Sequence, residues 1–325
     1  NTKRLRTGDP NPTFLWHCRL GHVNEQRVKK LHRNGLLDSF DFEPYDTCVS
    51  CLLGKMTKDP FLGIGGRAND LLGLVYTNVC GPINVMARGG YYYFITFTDD
   101  ISRYGYVYLM RRKSESFDKF REYKSEVENQ LGKRIKILRS DRGGEYLSQE
   151  FKDYLKESGI VSELTPPITP QWNGVSERRN RTLLDMVRSM MSLSGLPLSF
   201  WGYALEAAAL ILNNCPSKSV EKIPYEVWHG KEPKISFLRV WGCKAYVKKL
   251  LHTTKLEPRS TECIFVGYPK ETKGYYFYIP SENKIFIARS GVFLEKEFLR
   301  KEDSRSEIDL EEIRDKENQL EPPRE

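Results

Sequence analysis

The sequence IKILRSDRGGEY, residues 135–146, has the pattern of a short buried strand that ends at an acidic side chain, Asp141. Gly143 and Gly144 follow and allow the chain to turn sharply away from the strand end, since glycine adopts backbone conformations that other residues avoid. A second acidic residue, Glu177, comes after 35 intervening residues, in QWNGVSERRNRTLL, where a loop leads into a helix. A carboxylate at a strand end and another at a helix start make Asp141 and Glu177 the candidate catalytic pair.

The segments around this pair predict one α/β domain over about residues 70–232. Alternating apolar residues predict an antiparallel meander of three strands, at 72–79, 91–98 and 104–110. A helix follows, with Ser114 as its predicted N-cap and Gly132 as its end. The remaining predicted elements are the strand at 135–140, a helix near 148–158, a strand at 160–163 and helices from about 175 and 198. This order is that of a mixed five-strand sheet flanked by helices.

The preceding segment, residues 13–60, carries two histidines and two cysteines with the spacing H-x4-H-x25-C-x2-C. Zinc takes four nitrogen or sulfur ligands tetrahedrally, and a segment of this size needs such a clamp because its own apolar core is marginal. We therefore predict a structural zinc site formed by His17, His22, Cys48 and Cys51. Removal of the metal is expected to melt this segment and to spare the rest of the chain.

Within the zinc segment, Asn24 is the predicted N-cap of a helix that ends near Gly35. His32 is interpreted as a residue on the surface of this helix. Cys18 is interpreted as a packing residue, although it could replace one of the four zinc ligands.

The charge of the chain suggests a polyanionic partner. The formal net charge is +8, and because residues 301–325 carry five basic and ten acidic residues, residues 1–300 carry +13. Nucleic acid is the first candidate, and a solvated basic surface without a partner is the alternative. The longest apolar stretch, near 204–212, is interrupted by Glu206 and is shorter than the ~20 residues of a bilayer span, so no membrane partner is expected.

The C-terminal part changes character from Val240 onwards. Short alternating runs separated by turn residues predict a small β-barrel or sandwich over 233–297, with SENK at 281–284 as a hairpin turn. The remaining predicted boundaries are a flexible lead at 1–12, a linker at 61–69 and an acidic flexible tail at 298–325. The chain starts without a methionine or an apolar signal segment, which leads us to expect a piece of a larger polypeptide.

The His-His-Cys-Cys segment followed by SDRGGEY and NGVSERRNRTL resembles a retrotransposon integrase of the copia type. Further matching phrases, in the family's order, are WHCRLGH, CLLGKMTKDPF, VCGPI, FTDDISRYGYVYLM, PSKSV and FVGYPKETKGYYFY. The resemblance extends over about residues 14–297, and it is a resemblance to plant elements of this type in particular. It implies a zinc-binding N-terminal domain, a ribonuclease H-like catalytic core and an SH3-like C-terminal barrel. It also implies removal of nucleotides from the ends of element DNA and joining of those ends to target DNA.

By this resemblance, Asp141 and Glu177 are the second and third acids of a triad that holds two Mg²⁺ or Mn²⁺ ions. The first acid of the family stands before Val-Cys-Gly-Pro, and here YTNVCGP has Asn78 at that position. An amide oxygen supplies no charge, so we expect weakened metal binding and a rate lower by about 10²–10⁴-fold. Asp70, Asp99 and Asp100 offer no obvious replacement.

Several basic residues and one tryptophan are candidate DNA contacts. Arg178, Arg179 and Arg181 follow Glu177 and suit phosphate groups, although Arg181 could instead pair with Glu177 along the helix. Trp172, where the family usually has a polar residue, is either a stacking platform for an unpaired base or a loop-packing residue. Lys133, Arg134 and Lys136 lead into the strand of Asp141 and are either DNA contacts or a solvated edge.

The resemblance also implies partners and a place of action. These are element and target DNA, further copies of the chain assembled on DNA, and the reverse transcriptase region of the same polyprotein. The implied location is the nucleus, reached through a cytoplasmic virus-like particle. Because Asn78 replaces the first acid, two alternatives stay open: an inactive remnant that still binds zinc and DNA, and a zinc- and DNA-binding protein adopted by its host.

Overall fold

The computed structural model describes residues 11–37, 40–55, 67–165, 173–249 and 256–300. The described residues form a group of N-terminal helices, an α/β sheet and a second, antiparallel sheet. The predicted lead up to residue 10, most of the predicted linker, Trp172 and the tail from residue 301 lie outside these ranges. No helix in the described ranges has the length and apolarity that a bilayer crossing requires.

The N-terminal part consists of three short helices, α1 (Pro12–Arg19), α2 (Glu25–Arg33) and α3 (Val49–Lys55). The predicted lead is too long, because Asn11 accepts hydrogen bonds from the amides of Thr13 and Phe14 and so starts α1 at residue 12. The predicted cap of α2 is confirmed: the Asn24 side chain accepts from Gln26 N at 2.8 Å.

The central sheet has the predicted mixed topology. Its strands are β1 (Val75–Cys80), β2 (Tyr93–Asp99), β3 (Gly105–Met110), β4 (Ile137–Ser140) and β5 (Val161–Leu164), in the spatial order β3-β2-β1-β4-β5. The pairs β1–β2 and β2–β3 are antiparallel, whereas β1–β4 and β4–β5 are parallel. This arrangement is the ribonuclease H-like sheet that the sequence predicts.

Five helices of the described residues cover the sheet. They are α4 (Ser116–Leu131), α5 (Gln149–Glu157), α6 (Gly174–Ser194), α7 (Trp201–Asn214) and α8 (Pro224–His229). The apolar residues of α4 and α5 pack in one core with β1 and β2, while those of α6 and α7 belong to a second core. The prediction that Ser114 caps α4 is wrong, because a 3₁₀ turn at Lys113–Glu115 precedes the helix and contains this residue.

The C-terminal sheet is entirely antiparallel and has the order β10-β6-β7-β8-β9. Its strands are β6 (Lys244–Lys248), β7 (Ser260–Gly267), β8 (Tyr275–Ile279), β9 (Lys284–Ala288) and β10 (Val292–Phe293). The predicted hairpin at 281–284 is confirmed, with Asn283 in the left-handed conformation (φ 49°) between β8 and β9.

One apolar core runs through all three parts of the molecule. It contains Leu20 from the N-terminal helices, Met186 and Ile211 from α6 and α7, and Phe265 from the C-terminal sheet, each 2 % exposed or less. Apolar side chains of the N-terminal segment are therefore buried partly by contact with the other two parts of the molecule. This shared core argues against the expectation that the zinc segment melts alone.

Candidate catalytic and zinc sites

Asn78 and Asp141 lie at equivalent positions on neighbouring parallel strands. The register of β1 and β4 pairs Val75 with Leu138 and Tyr76 with Arg139. Asn78 is two residues beyond Tyr76 and Asp141 two beyond Arg139, and residues two apart on a strand share a face. The two side chains therefore start from the same face and the same edge of the sheet.

The start of α6 is tied to this edge by hydrogen bonds. The Asn173 amide nitrogen donates to the carbonyl oxygen of Thr77 at 3.1 Å, and the Ser176 hydroxyl donates to Asn173 Oδ1 at 2.6 Å. Thr77 immediately precedes Asn78, and Glu177 is one helical turn beyond Asn173. These bonds bring the first turn of α6, with Glu177, to the end of β1.

The two carboxylates of the pair interact electrostatically. Burial raises the pKa of Glu177 above its ordinary value, the positive charge of Arg181 opposes this, and the negative charge of Asp141 raises it further. Asp141 itself accepts a hydrogen bond from Gly143 N at 3.0 Å through Oδ1, which orients its carboxylate. Sequence-predicted residues from β4 and α6 thus meet at one edge of the sheet.

Three residues that sequence reasoning missed hold this arrangement. Tyr146 is buried and shares a 2.9 Å hydrogen bond with the Thr77 hydroxyl, so it fastens the loop after Asp141 to β1. Asn180 accepts from the Thr96 hydroxyl at 2.8 Å and joins α6 to β2. Asn173, described above, is the third. Tyr146 and Asn173 stand inside the two quoted motifs, so the motifs themselves were the available signal.

The other acidic residues near the sheet are engaged elsewhere. Asp99 pairs with Val75 at the opposite end of β1 and accepts hydrogen bonds from Leu72 N (2.8 Å) and from Ser102 N (2.7 Å). Asp100 forms an ion pair with Arg103 at 3.0 Å, and Asp70 pairs with Lys133. None of the three replaces the missing first acid.

The side chains at this edge of the sheet are suited to divalent cations, except that one of the three lacks a negative charge. Mg²⁺ and Mn²⁺ prefer oxygen ligands, which Asp141 and Glu177 supply as carboxylates. Asn78, on β1 beside Asp141, supplies at most a neutral amide oxygen. The residues present therefore fit such ions in donor type, with two negative charges among the three side chains.

The four predicted zinc ligands are brought together. Their ligand atoms all lie within 4.8 Å of one another, and both histidines are buried. Cys51 Sγ is 3.3 Å from His17 Nε2, and Cys48 Sγ is 3.4 Å from His22 Nδ1. A tetrahedral zinc ion with bonds of about 2.0–2.3 Å places its donors roughly 3.3–3.8 Å apart, so the cluster fits zinc.

The second nitrogen of His17 supports this assignment. His17 Nδ1 lies 2.7 Å from the carbonyl oxygen of Val23, a contact in which the nitrogen donates and which leaves Nε2 with a lone pair directed at the cluster. Cys18 is buried in the apolar core and does not belong to the four, in agreement with a packing role. His32 is not a plain surface residue, because it is half-buried with Nε2 2.9 Å from Phe40 O.

Comparison with known proteins follows the same division of the chain. Family models match at residues 4–56 (GAG-pre-integrase domain), 72–170 (integrase core domain) and 243–307 (retroviral polymerase SH3-like domain). The chain is 41% identical over 87% of its length to a retrovirus-related Pol polyprotein from transposon TNT 1-94 of Nicotiana tabacum. It carries the integrase core domain of the copia-type Pol polyproteins.

A second relative and a solved structure are also similar to this chain. A Pol polyprotein from transposon RE2 of Arabidopsis thaliana is 31% identical over 87% of this chain. The chain spans about a fifth of the length of these relatives (22% and 19%). A simian T-cell lymphotropic virus intasome structure, solved with a PP2A regulatory subunit, is 16% identical with a TM-score of 0.44, and 84% of this chain and 89% of that chain are covered.

Arg179 is not placed to contact DNA, which corrects the sequence prediction. Its side chain is buried, and its guanidinium donates to Arg103 O at 3.0 Å and to Asn213 Oδ1 at 2.8 Å. Burial lowers its pKa to about 10. Arg179 therefore joins α6 to β3 and α7 and has no surface to offer a phosphate.

The remaining predicted DNA contacts are exposed but lie in two places. Arg178 and Arg181 stand on the exposed face of α6, and Arg178 Nε donates to Gly174 O at 2.8 Å. Lys133, Arg134 and Lys136 lie before β4, at the end of the strand opposite Asp141. That position favours a solvated edge for these three residues over contact with DNA at the catalytic pair. Trp172 is outside the described residues.

Proposed function

We propose that this chain acts in DNA integration, processing the ends of element DNA and joining them to target DNA by metal-assisted phosphoryl transfer. The observation that carries the proposal is the meeting of Asp141 and Glu177 at one edge of the sheet of an integrase core. We also propose that the chain works as a multimer on DNA, in the nucleus, after delivery in a cytoplasmic virus-like particle.

Each of the described site residues has a separate role in the proposed reaction. Asp141 and Glu177, with the Asn78 amide oxygen, would hold two Mg²⁺ or Mn²⁺ ions, which activate the attacking oxygen and stabilise the leaving one. The Gly143 amide keeps the Asp141 carboxylate oriented, and Asn173 keeps the first turn of α6 against β1. Arg178 and Arg181, exposed on the following turn, attract the phosphate backbone towards the carboxylates.

Asn78 sets the level of activity. With an amide at residue 78, the three side chains would offer divalent cations two negative charges instead of three. We propose that this copy binds the metal ions weakly and that its strand transfer is near background. Restoring the charge requires one change of nearly identical shape, from amide to carboxylate.

The substitution Asn78→Asp tests the proposal. Metal-dependent joining of a labelled duplex end should rise by at least ~10²-fold, equivalent to about 3 kcal/mol in the barrier, while thermal stability changes little. The matched control is the double variant Asn78→Asp, Asp141→Asn, which has the same total charge as the original chain. Its activity should return to background.

Two outcomes would contradict this account. Equal joining by the original chain and by Asn78→Asp would mean that the charge at residue 78 is not limiting. Absence of joining in both, with the fold and zinc content intact, would remove the catalytic part of the proposal.

A second candidate function is DNA binding without cutting, either in an inactive remnant or in a protein adopted by its host. The observation that favours it is the same amide at Asn78, combined with the engagement of Asp70, Asp99 and Asp100 elsewhere. Duplex binding by the original chain and by Asn78→Asp, without joining by either in Mg²⁺ or Mn²⁺, would support this function over the first.

A further inference from the structure

A basic cleft of about 800 Å³ lies between α2 and the loop that joins α7 to α8. Its two walls carry five cationic side chains: Arg27, Lys30, Arg67, Lys218 and Lys222. Among its described lining residues, the acidic member is Glu221 alone. None of these five cations is among the DNA contacts that the sequence predicts.

Two of the cations bind neutral partners, so their charge is not cancelled. Lys30 Nζ donates to the backbone carbonyl of Glu221 at 2.9 Å, and Arg67 Nη2 donates to that of Ser219 at 2.6 Å. A carbonyl oxygen accepts a hydrogen bond and carries no net charge, in contrast to a carboxylate. These bonds hold the loop in place while its positive potential is retained.

Two exposed lysines of the loop add further positive charge to the cleft. Lys218 and Lys222 are both exposed, and Lys222 shares a 3.0 Å surface ion pair with Glu226 of α8. An exposed pair of this kind is weak and is broken at little cost when another anion approaches. The cleft therefore has cations on both walls that are open to a ligand.

The basic cleft continues towards the catalytic helix. A second cavity of about 170 Å³ shares Arg27, Ser217 and Ser219 with it and is also lined by Arg178 and Thr182 of α6. Arg178 directly follows Glu177. A continuous path of positive charge and hydroxyl groups thus leads from the helix of the catalytic pair to α2.

We propose that the basic cleft binds the sugar-phosphate backbone of duplex DNA at a distance from the reacting end, an inference that rests on the proposed function. Cations on two facing walls, joined by a path to α6, match a chain of phosphates better than a single small anion. The five cations address phosphate groups, which carry no sequence information, so the binding that they provide does not depend on base sequence. The ligand class is a polyanionic duplex.

The test compares two double variants with the same loss of charge. Lys218→Gln with Lys222→Gln removes the loop cations, whereas Lys152→Gln with Lys156→Gln removes two exposed lysines of α5, on the other face of the sheet. Each phosphate contact contributes about 0.9 to the slope of log affinity against log salt. The cleft variant should therefore shallow the slope for a random-sequence duplex by about two, and the α5 variant should leave it unchanged.

If the double variant unfolds, the single variant Lys218→Gln replaces it in the test. This variant should change the slope by about one. Equal slopes for cleft and α5 variants would overturn the cleft proposal while leaving the proposed function intact. A flat salt response of the original chain would instead overturn the proposed function, so the two failures are distinguishable.

Discussion

Arg178 and Arg179 are neighbours in α6 with opposite surroundings. Arg178 is exposed, whereas the Arg179 guanidinium lies against β3, donating to Gly105 O at 3.2 Å and to Asn213 Oδ1 at 2.8 Å. A side chain at Gly105 would overlap this guanidinium, so glycine is required there for the approach. At the scale of single residues, one arginine serves the fold and the other faces solvent.

This contrast gives a paired prediction. Arg179→Met removes three buried hydrogen bonds, to Arg103 O, Gly105 O and Asn213 Oδ1, and should destabilise the protein by about 3 kcal/mol or more. Arg178→Met should stay within about 0.5 kcal/mol of the original chain, because its side chain is exposed. Urea unfolding checks both values.

DNA binding should show the reverse order. Arg178→Met is expected to shallow the salt dependence by about one phosphate contact, while folded Arg179→Met keeps the original slope. A loss of stability in Arg178→Met equal to that in Arg179→Met would contradict the assignment.

The sequence could not separate these two arginines. Both stand in SERRNR within two residues of Glu177, so the local pattern does not distinguish them. What buries Arg179 is contact with Gly105 and Asn213, which are distant in sequence and meet α6 through the tertiary fold. The catalytic pair, by contrast, stands in motifs whose strand end and helix start are set by local sequence.

At the scale of elements, α3 and α6 pack closely because Gly54 has no side chain. A Cβ added at Gly54 would lie 2.7 Å from the Ser189 hydroxyl and 3.1 Å from its backbone nitrogen. Helix α3, which contains Cys51 and begins directly after Cys48, is thereby held against the helix that carries Glu177.

Gly54→Ala should therefore push α3 away from α6 and cost about 1–3 kcal/mol, in spite of the better helix propensity of alanine. Gly144→Ala is the matched control, because nothing lies within 4 Å of the added carbon, and its effect should be neutral or slightly stabilising. Thermal unfolding compares the two. Equal stability of the variants would show that α3 can shift without loss.

Elements that local chemistry determines were predictable, and those that depend on neighbours were not. The cap of α2 at Asn24 and the glycine end of α4 at Gly132 follow from side-chain and backbone preferences near the helix ends. The 3₁₀ turn before α4 depends on the Glu115 carboxylate accepting from the amides of Arg111 and Arg112. Helix α8, with only six residues, was too short to give a periodic signal.

At the scale of the molecule, the zinc cluster and the shared core are coupled. A Cβ at Gly21, beside His22, would lie 2.8 Å from Met186 Cε and 3.4 Å from Ile211 Cδ1, so the cluster rests directly on α6 and α7. Disorder in residues 11–55 would uncover apolar surface of both helices. Loss of the metal should therefore spread beyond the segment that binds it.

Chelation of zinc, or Cys48→Ser with Cys51→Ser, should remove about one zinc ion per chain and speed amide exchange in α6 and α7 as well as in residues 11–55. His32→Gln is the matched control, because His32 lies outside the four-residue cluster, and it should retain the metal. Metal analysis and hydrogen exchange measure the two effects.

Unchanged zinc content in the double cysteine variant would remove the ligand assignment. Exchange confined to residues 11–55 after chelation would instead show that the shared core holds without the zinc segment, and only the coupling would be lost.

The ion pair that joins the two ends of the described chain bears on how the protein is made. Arg19 binds Glu295 at 2.6 Å across 276 positions, and Glu295 also accepts from Val240 N at 2.7 Å. At about 5–20 residues per second, a ribosome needs roughly 15–55 s to synthesise that interval. The His and Cys cluster can gather as soon as residue 51 has emerged, whereas its apolar supports on α6, α7 and the C-terminal sheet come much later. The N-terminal helices must therefore stay partly uncovered while that interval is synthesised, and we expect them to need protection by a chaperone during this time.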